Sequence, residues 1–275
     1  MFDHQGKAMT ADDVKTSQAA HGVSIVELVK KDEQWKVDLT GKLNRRITAT
    51  TPMELTGPAA GHELLKTTDD QTGKHVLGTI NNCANGYTPW GTYLTCEENF
   101  NNYFGTTDNT YKPTADMERY GIEAQEKRYQ WSQFENRFDI AKTPHEVNRF
   151  GWIVEIDPMN PTSIPKKRTA LGRFKHENAA LVVNTNGQVV VYLGDDERGE
   201  YLYKFVSKGQ YNANDKAANS DLLDSGTLYV AKFTATANEL KGKGEWIELT
   251  QGKNGLTTEN GFADQATVLI RTRQA

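Results

Sequence analysis

The segment Asn81–Asn99, NNCANGYTPWGTYLTCEEN, brings Cys83, Cys96, Glu97, Glu98 and several side-chain amides into nineteen residues. A thiolate beside two carboxylates is costly to bury, because like charges oppose one another and all lose hydration. A bound cation removes that cost. Thiolate sulfur favours a transition metal such as iron or zinc, whereas carboxylate and amide oxygens also suit calcium. A plainer reading stands beside this one: Cys83 and Cys96 form a disulfide in an oxidising compartment or are buried thiols, and Glu97 and Glu98 solvate a strand end. The segment lacks the paired C-x-x-C of a zinc knuckle and the G-x-S-x-G elbow of a serine hydrolase.

Three further segments combine charge with turn residues. In GRFKHENAA, from Gly172, Glu177 can hold a metal while Arg173, Lys175 or His176 attracts an anionic substrate; the alternative is an exposed charged turn. His176-Glu177-Asn178 is not the HExxH of a helix-borne zinc protease. In GDDERGE, from Gly194, Asp195, Asp196 and Glu197 offer hard oxygens to calcium, yet an acidic turn after a strand is also a common solvated cap, and EF-hand spacing is missing. Glu259 and Asp264 flank Asn260-Gly261, where a turn or cap role for Asp264 competes with ligation.

The elements around these loops read as strands. GVSIVELV from Gly22 alternates apolar and polar residues and, after Lys30–Glu33, is followed by QWKVDL, a hairpin. GTLYVAKF from Gly226 with GEWIELT from Gly244 repeats that arrangement, and GWIVEID from Gly151 and EYLYKFV from Glu200 are relatives. Asn186-Gly187 between Val-rich runs is the strongest local hairpin signal. TVLIRT near the end reads as another strand. Recurring strand pairs predict an all-β chain, part of a β-propeller, in which strand-end loops converge on one axis. Residues 1–21 read as a peripheral segment with a short helix through Thr10–Ala20, and 22–275 as the partial propeller. A polar and aromatic insertion spans about 99–148, either a functional excursion or a packed flap; within it MERYGIEAQEKRY supplies a short helix broken near Gly121.

Composition narrows the function classes. With 275 residues, 37% hydrophobic, 25% charged and a formal net charge of -4, the chain has the balance of a folded, soluble domain. Its basic residues are scattered, so no nucleic-acid footprint is visible. No apolar run approaches the roughly 20 residues that cross a bilayer, and the start has no signal-peptide apolar core.

In this order, NRRITATTPMELTGPAAG from Asn44, NNCANGYTPWGTYLTCEENF from Asn81, GWIVEIDP from Gly151, ALGRFKHENAA from Ala170 and YLGDDERGEYLYKFV from Tyr192 resemble the PhoX-type alkaline phosphatases. That resemblance implies a six-bladed propeller enzyme of the periplasm or the secreted fraction, hydrolysing phosphate monoesters with iron and calcium. It implies Cys96 as the iron-binding thiolate, Glu97 or Glu98 as a neighbouring ligand, and Glu177 as a metal carboxylate. Asp195, Asp196 and Glu197 fall in the family's acidic motif, Glu259 and Asp264 are weaker matches, and Cys83 has no implied ligand role. No residue is assigned as the attacking group. Family members are longer at both ends, so the expectation is a fragment that needs missing blades or a second copy to close, binds metal incompletely and turns over little substrate. The alternatives are a noncatalytic propeller scaffold and another calcium-dependent hydrolase.

Overall fold

A computed structural model describes residues 9–125, 128–237, 239 and 241–275. Helix α1 (Ala11–Ala20) starts where Thr10 and Asp13 exchange side-chain-to-backbone hydrogen bonds, a capping box that satisfies two free amides. The strands that follow are β1 (Val23–Ile25), β2 (Leu28–Lys31), β3 (Gln34–Val37) and β4 (Arg45–Ile47). Strands β2 and β3 form the expected hairpin, turned by Asp32 and Glu33 with φ of 50° and 61°, the left-handed pair that a two-residue turn demands.

Next come β5 (Pro52–Thr56), β6 (His75–Leu77), β7 (Asn82–Tyr87), β8 (Tyr93–Glu97), β9 (Ile153–Ile156) and β10 (Lys166–Arg168). They build a six-stranded sheet in the order β6-β5-β10-β9-β8-β7, in which β5 and β10 run parallel. Strands β11 (Ala180–Val183), β12 (Gln188–Gly194), β13 (Leu202–Gln210), β14 (Gly226–Thr234) and β15 (Lys243–Glu248) form an antiparallel five-stranded meander. The Asn186-Gly187 hairpin joins β11 to β12 as its sequence indicates.

This arrangement overturns the all-β propeller expectation. Among the described residues there is no ring of blades; a mixed six-stranded sheet packs against a separate antiparallel sheet, and the chain carries short helices as well. A parallel pair needs a long crossover, and the partner of β5 lies far along the chain. Local alternation marks a strand but says nothing about a partner that distant. A second correction concerns TVLIRT, which is helical: α3 (Gln265–Ile270) begins at Asp264, whose Oδ1 accepts the Thr267 N–H at 2.7 Å. Its Val268, Leu269 and Ile270 are all buried, so an apolar run that suits a buried strand serves equally well in a buried helix.

The six-stranded sheet is covered on both faces. All four residues of β9 are buried; Val154 and Ile156 face one core with Met53 and Leu55, while Ile153 faces the other with Leu94, Val191 and Phe205. The insertion at 99–148 is a packed layer rather than a free loop, with Phe100, Tyr103, Phe104, Trp131 and Phe138 buried against the first core. Helix α2 (Ala115–Arg119) ends ahead of Gly121 at φ 71°; Glu126 and Lys127, in the same expected helical stretch, lie outside the described residues. Met9 and Val14 join this core from the N-terminal segment. No helix of the described residues is long and apolar enough to cross a membrane.

Candidate active site

Strand alternation decides where the residues of YLTCE point. Leu94 and Cys96 share one face of β8 and pack into the core against Ile153 and the five-stranded sheet. Glu97 takes the opposite face and is fully buried. Its Oε1 accepts from Lys167 Nζ at 2.7 Å and its Oε2 from the N–H groups of Gly151 and Trp152 at 3.0 and 3.1 Å. Burial pushes the Lys167 ammonium down to about 8, while the Glu97 carboxylate opposes that shift. Glu98 falls just past the strand and turns toward different neighbours.

Those neighbours come from distant segments held together by backbone hydrogen bonds. The N–H of His176 donates to the Glu97 carbonyl at 3.0 Å, that of Glu177 to Gly194 at 3.3 Å, and that of Asp196 to Lys175 at 3.0 Å. The short Lys175–Glu177 stretch thus lies between the end of β8 and the end of β12. Beside it β7 passes so close that a Cβ on Gly86 would stand 2.0 Å from the Ala179 carbonyl oxygen. Glycine is required there by space alone.

Glu98, Glu177, Asp196 and Cys83 act on one another electrostatically. The Glu98 carboxyl is held above the usual range, first by loss of hydration, then by a hydrogen bond with Asp196 and that group's charge, while Glu177 adds to the rise and a hydrogen bond with Cys83 opposes it. The Cys83 thiol is pushed up by partial desolvation and by Glu98. A cavity of about 670 Å³ opens on Cys83 and Glu98, with Asn81, Asn82, His21 and Tyr129 among its other walls. Asn82 presents a buried Oδ1 without a hydrogen-bond partner.

The whole chain, residues 1–275, matches the family model described as alkaline phosphatase PhoX. This protein belongs to the PhoX alkaline phosphatase family. A solved structure titled Pseudomonas fluorescens PhoX in complex with vanadate, a transition state analogue, is 53% identical with a TM-score of 0.95; the alignment covers 98% of this chain and 47% of that one. The chain therefore spans about half the length of that PhoX. No curated protein sequence matches it.

Against this PhoX background the expected site residues separate into two groups. Glu98, Glu177 and Asp196 are brought together, and none of them enters an ion pair among the described residues. Cys83, without an implied role in the sequence, joins them. Cys96 does not: it is a free, buried thiol whose pKa is raised by burial, and with Cys83 also free there is no disulfide. Glu97 is neutralised by Lys167, Glu197 is paired with Lys175, and Asp195 is clamped by Arg273 through Nε at 2.7 Å and Nη2 at 2.5 Å. Arg173 is buried, with its Nε and Nη2 donating to the carbonyls of Phe150 and Val147 at 2.9 and 2.8 Å. His176 is buried too; its Nε2 donates to the Gly172 carbonyl at 2.9 Å and burial pushes its pKa down to about 3, so it is neutral. None of Arg173, Lys175 and His176 lines the cavity. Asp264 is a helix cap, and Glu259 lies exposed in the short turn after Thr257.

Arg273 and Arg119 were missed by sequence reading. Both hold Glu200, and Arg273 neutralises Asp195 next to Asp196. Nothing in their local pattern marks them, since the contacts are long-range. For Cys83 a signal did exist: the alternation of Leu94 and Cys96 assigns Cys96 to the core and leaves Cys83 as the accessible sulfur.

A cation fits the donor chemistry of this cluster. Its carboxylates have no positively charged partner among the described residues, the Glu98 carboxyl is raised by loss of hydration and then by its anionic neighbours, and sulfur and oxygen donors are both present. The fit is one of chemistry, because no three His, Cys, Asp or Glu among the described residues stand as a ready-made coordination group.

Proposed function

We propose that the chain takes part in metal-dependent hydrolysis of phosphate monoesters, with Cys83, Glu98, Glu177 and Asp196 as the side chains that hold the metal. The observation that carries this reading is the convergence of those anionic groups, unpaired by any described cation, around Glu98, which with Cys83 lines a cavity in a PhoX-family chain. The vanadate bound by the solved relative supports phosphoryl chemistry. Carboxylate oxygens suit calcium, and a thiolate suits iron. When bound, such ions would offset the negative oxygens of a phosphoryl group and make a water more acidic. The protein's own part is to fix the donors: backbone bonds hold Glu177 and Asp196 against the end of β8, and the Lys167, Lys175 and Arg273 pairs remove competing charges from Glu97, Glu197 and Asp195. Activity of the isolated chain is expected to be low, and action in the periplasm or outside the cell belongs to the same reading, checked by cell fractionation.

The test is metal analysis of natively purified protein, with phosphate release from an aryl phosphate measured alongside. Iron or calcium in the wild type, lost in both C83A and E177A but kept in C96A, supports the reading. Folded wild-type protein that takes up neither ion when titrated refutes it.

A further inference from the structure

We propose that Glu97, held by Lys167, is a positioning residue that sets the spacing between Glu98 and Glu177. The inference rests on the metal-holding reading above but concerns a carboxylate that does not touch the metal. Glu97 has three attachments. Its carboxylate fixes the Gly151–Trp152 backbone through two N–H donors, at 3.0 and 3.1 Å. Its carbonyl accepts the His176 N–H at 3.0 Å, so the segment carrying Glu177 hangs from this residue. Its own chain leads directly into Glu98, whose N–H donates to the Asn81 carbonyl at 3.0 Å, two residues ahead of Cys83. The segments carrying Glu177 and Glu98 therefore meet at one buried residue, and Glu98 in turn is bonded to the segment of Cys83.

Lys167 keeps that residue in place. Its Nζ is fully buried, bonds Glu97 Oε1 at 2.7 Å and the Arg149 carbonyl at 2.9 Å, and lies 3.8 Å from the centre of the Phe150 ring. The pair thus joins β10 and the 149–152 turn to the end of β8. That turn has little freedom of its own: Gly151 has φ 88°, and a Cβ there would stand 2.5 Å from the Phe100 ring. A buried ion pair is poor evidence for stability, since an apolar pair of similar volume often does as well. Placement is what it supplies here: the two N–H groups have no other acceptor among the described residues, and an apolar pair would release them.

Two double variants separate placement from stability. In E97Q/K167M the charges are gone but an amide oxygen still accepts from Gly151 and Trp152; in E97L/K167M that acceptor is gone. Both are titrated with Ca²⁺ by calorimetry and with Fe³⁺ through the thiolate charge-transfer absorption, and melting temperatures are recorded. E97L/K167M is expected to lose about 10–100-fold in metal affinity, the usual cost of removing a group that orients ligands, while E97Q/K167M stays within about threefold of wild type. If E97L/K167M does not fold, single E97Q replaces it: its amide cannot accept from the backbone pair without turning an NH₂ toward Lys167, and the same loss is expected. Wild-type affinity in a folded variant that lacks the acceptor overturns the proposal, as does an affinity loss in both double variants that simply follows their melting temperatures. Wild-type protein that binds neither ion defeats the metal-holding reading instead, which keeps the two failures distinct.

Discussion

Replacing Arg273 by Met removes the partner of Asp195 without leaving a large hole, and the structure sets the size of the effect. The two side chains are 0% and 1% exposed and joined by two hydrogen bonds, at 2.7 and 2.5 Å. Glu200 keeps Arg119 in the variant, so the deserted charge is that of Asp195. Deleting one partner of such a pair costs about 3–5 kcal/mol, because a carboxylate is left buried and uncompensated. At roughly 2–4 °C per kcal/mol for a chain of this size, R273M should melt about 6–20 °C lower. Removing both charges in D195N/R273M should return the protein to within about 1 kcal/mol of wild type. The assay is a double-mutant cycle by thermal and urea unfolding, with metal content measured on every member. D195N/R273M should bind as much metal as wild type, since Asp195 is a clamp for the loop and Asp196 is the proposed donor. Recovery of stability with complete loss of metal would refute this division of roles; a single variant as stable as wild type would refute the buried pair.

Other outcomes follow from the same geometry. C83S should lower metal affinity at least about tenfold, whereas C96A should leave it unchanged and cost only stability, about 0.5–3 kcal/mol, by calorimetry and melting. G86A should destabilise by about 1–3 kcal/mol and loosen the site, because the added methyl meets the Ala179 carbonyl at 2.0 Å; hydrogen exchange along β7 and β11 reads this. Burial depresses the His21 pKa despite its hydrogen bond with the Ser17 carbonyl, so the folded protein binds fewer protons than the unfolded one just below the ordinary histidine value of about 6.5. The stability this histidine contributes is present above that value and is lost as pH falls through the depressed pKa; melts taken between about pH 7 and pH 5 should decline in wild type and flatten in H21F.

The family and most of the strands were legible in the sequence, and so were three of the four residues proposed here to hold metal, as residue types. Long motifs such as NNCANGYTPWGTYLTCEENF carry the kinship, and period-two alternation with Asn186-Gly187 sets the local hairpins. Those signals are short-range, and what they determined is short-range too. Long-range packing set the parallel pairing of β5 with β10, made TVLI a capped helix within the core, and folded the aromatic residues of the 99–148 insertion into a packed layer. The same holds for the site. Its acidic residues are legible as types, but which carboxylates are neutralised depends on cations far along the chain: Lys167 for Glu97, Lys175 for Glu197 and Arg273 for Asp195. Glu98, Glu177 and Asp196 remain without a described cation, and Cys83 rather than Cys96 lies beside Glu98, because one face of β8 belongs to the core. Burial and pairing are sums over distant neighbours, so they are fixed only when the chain has folded.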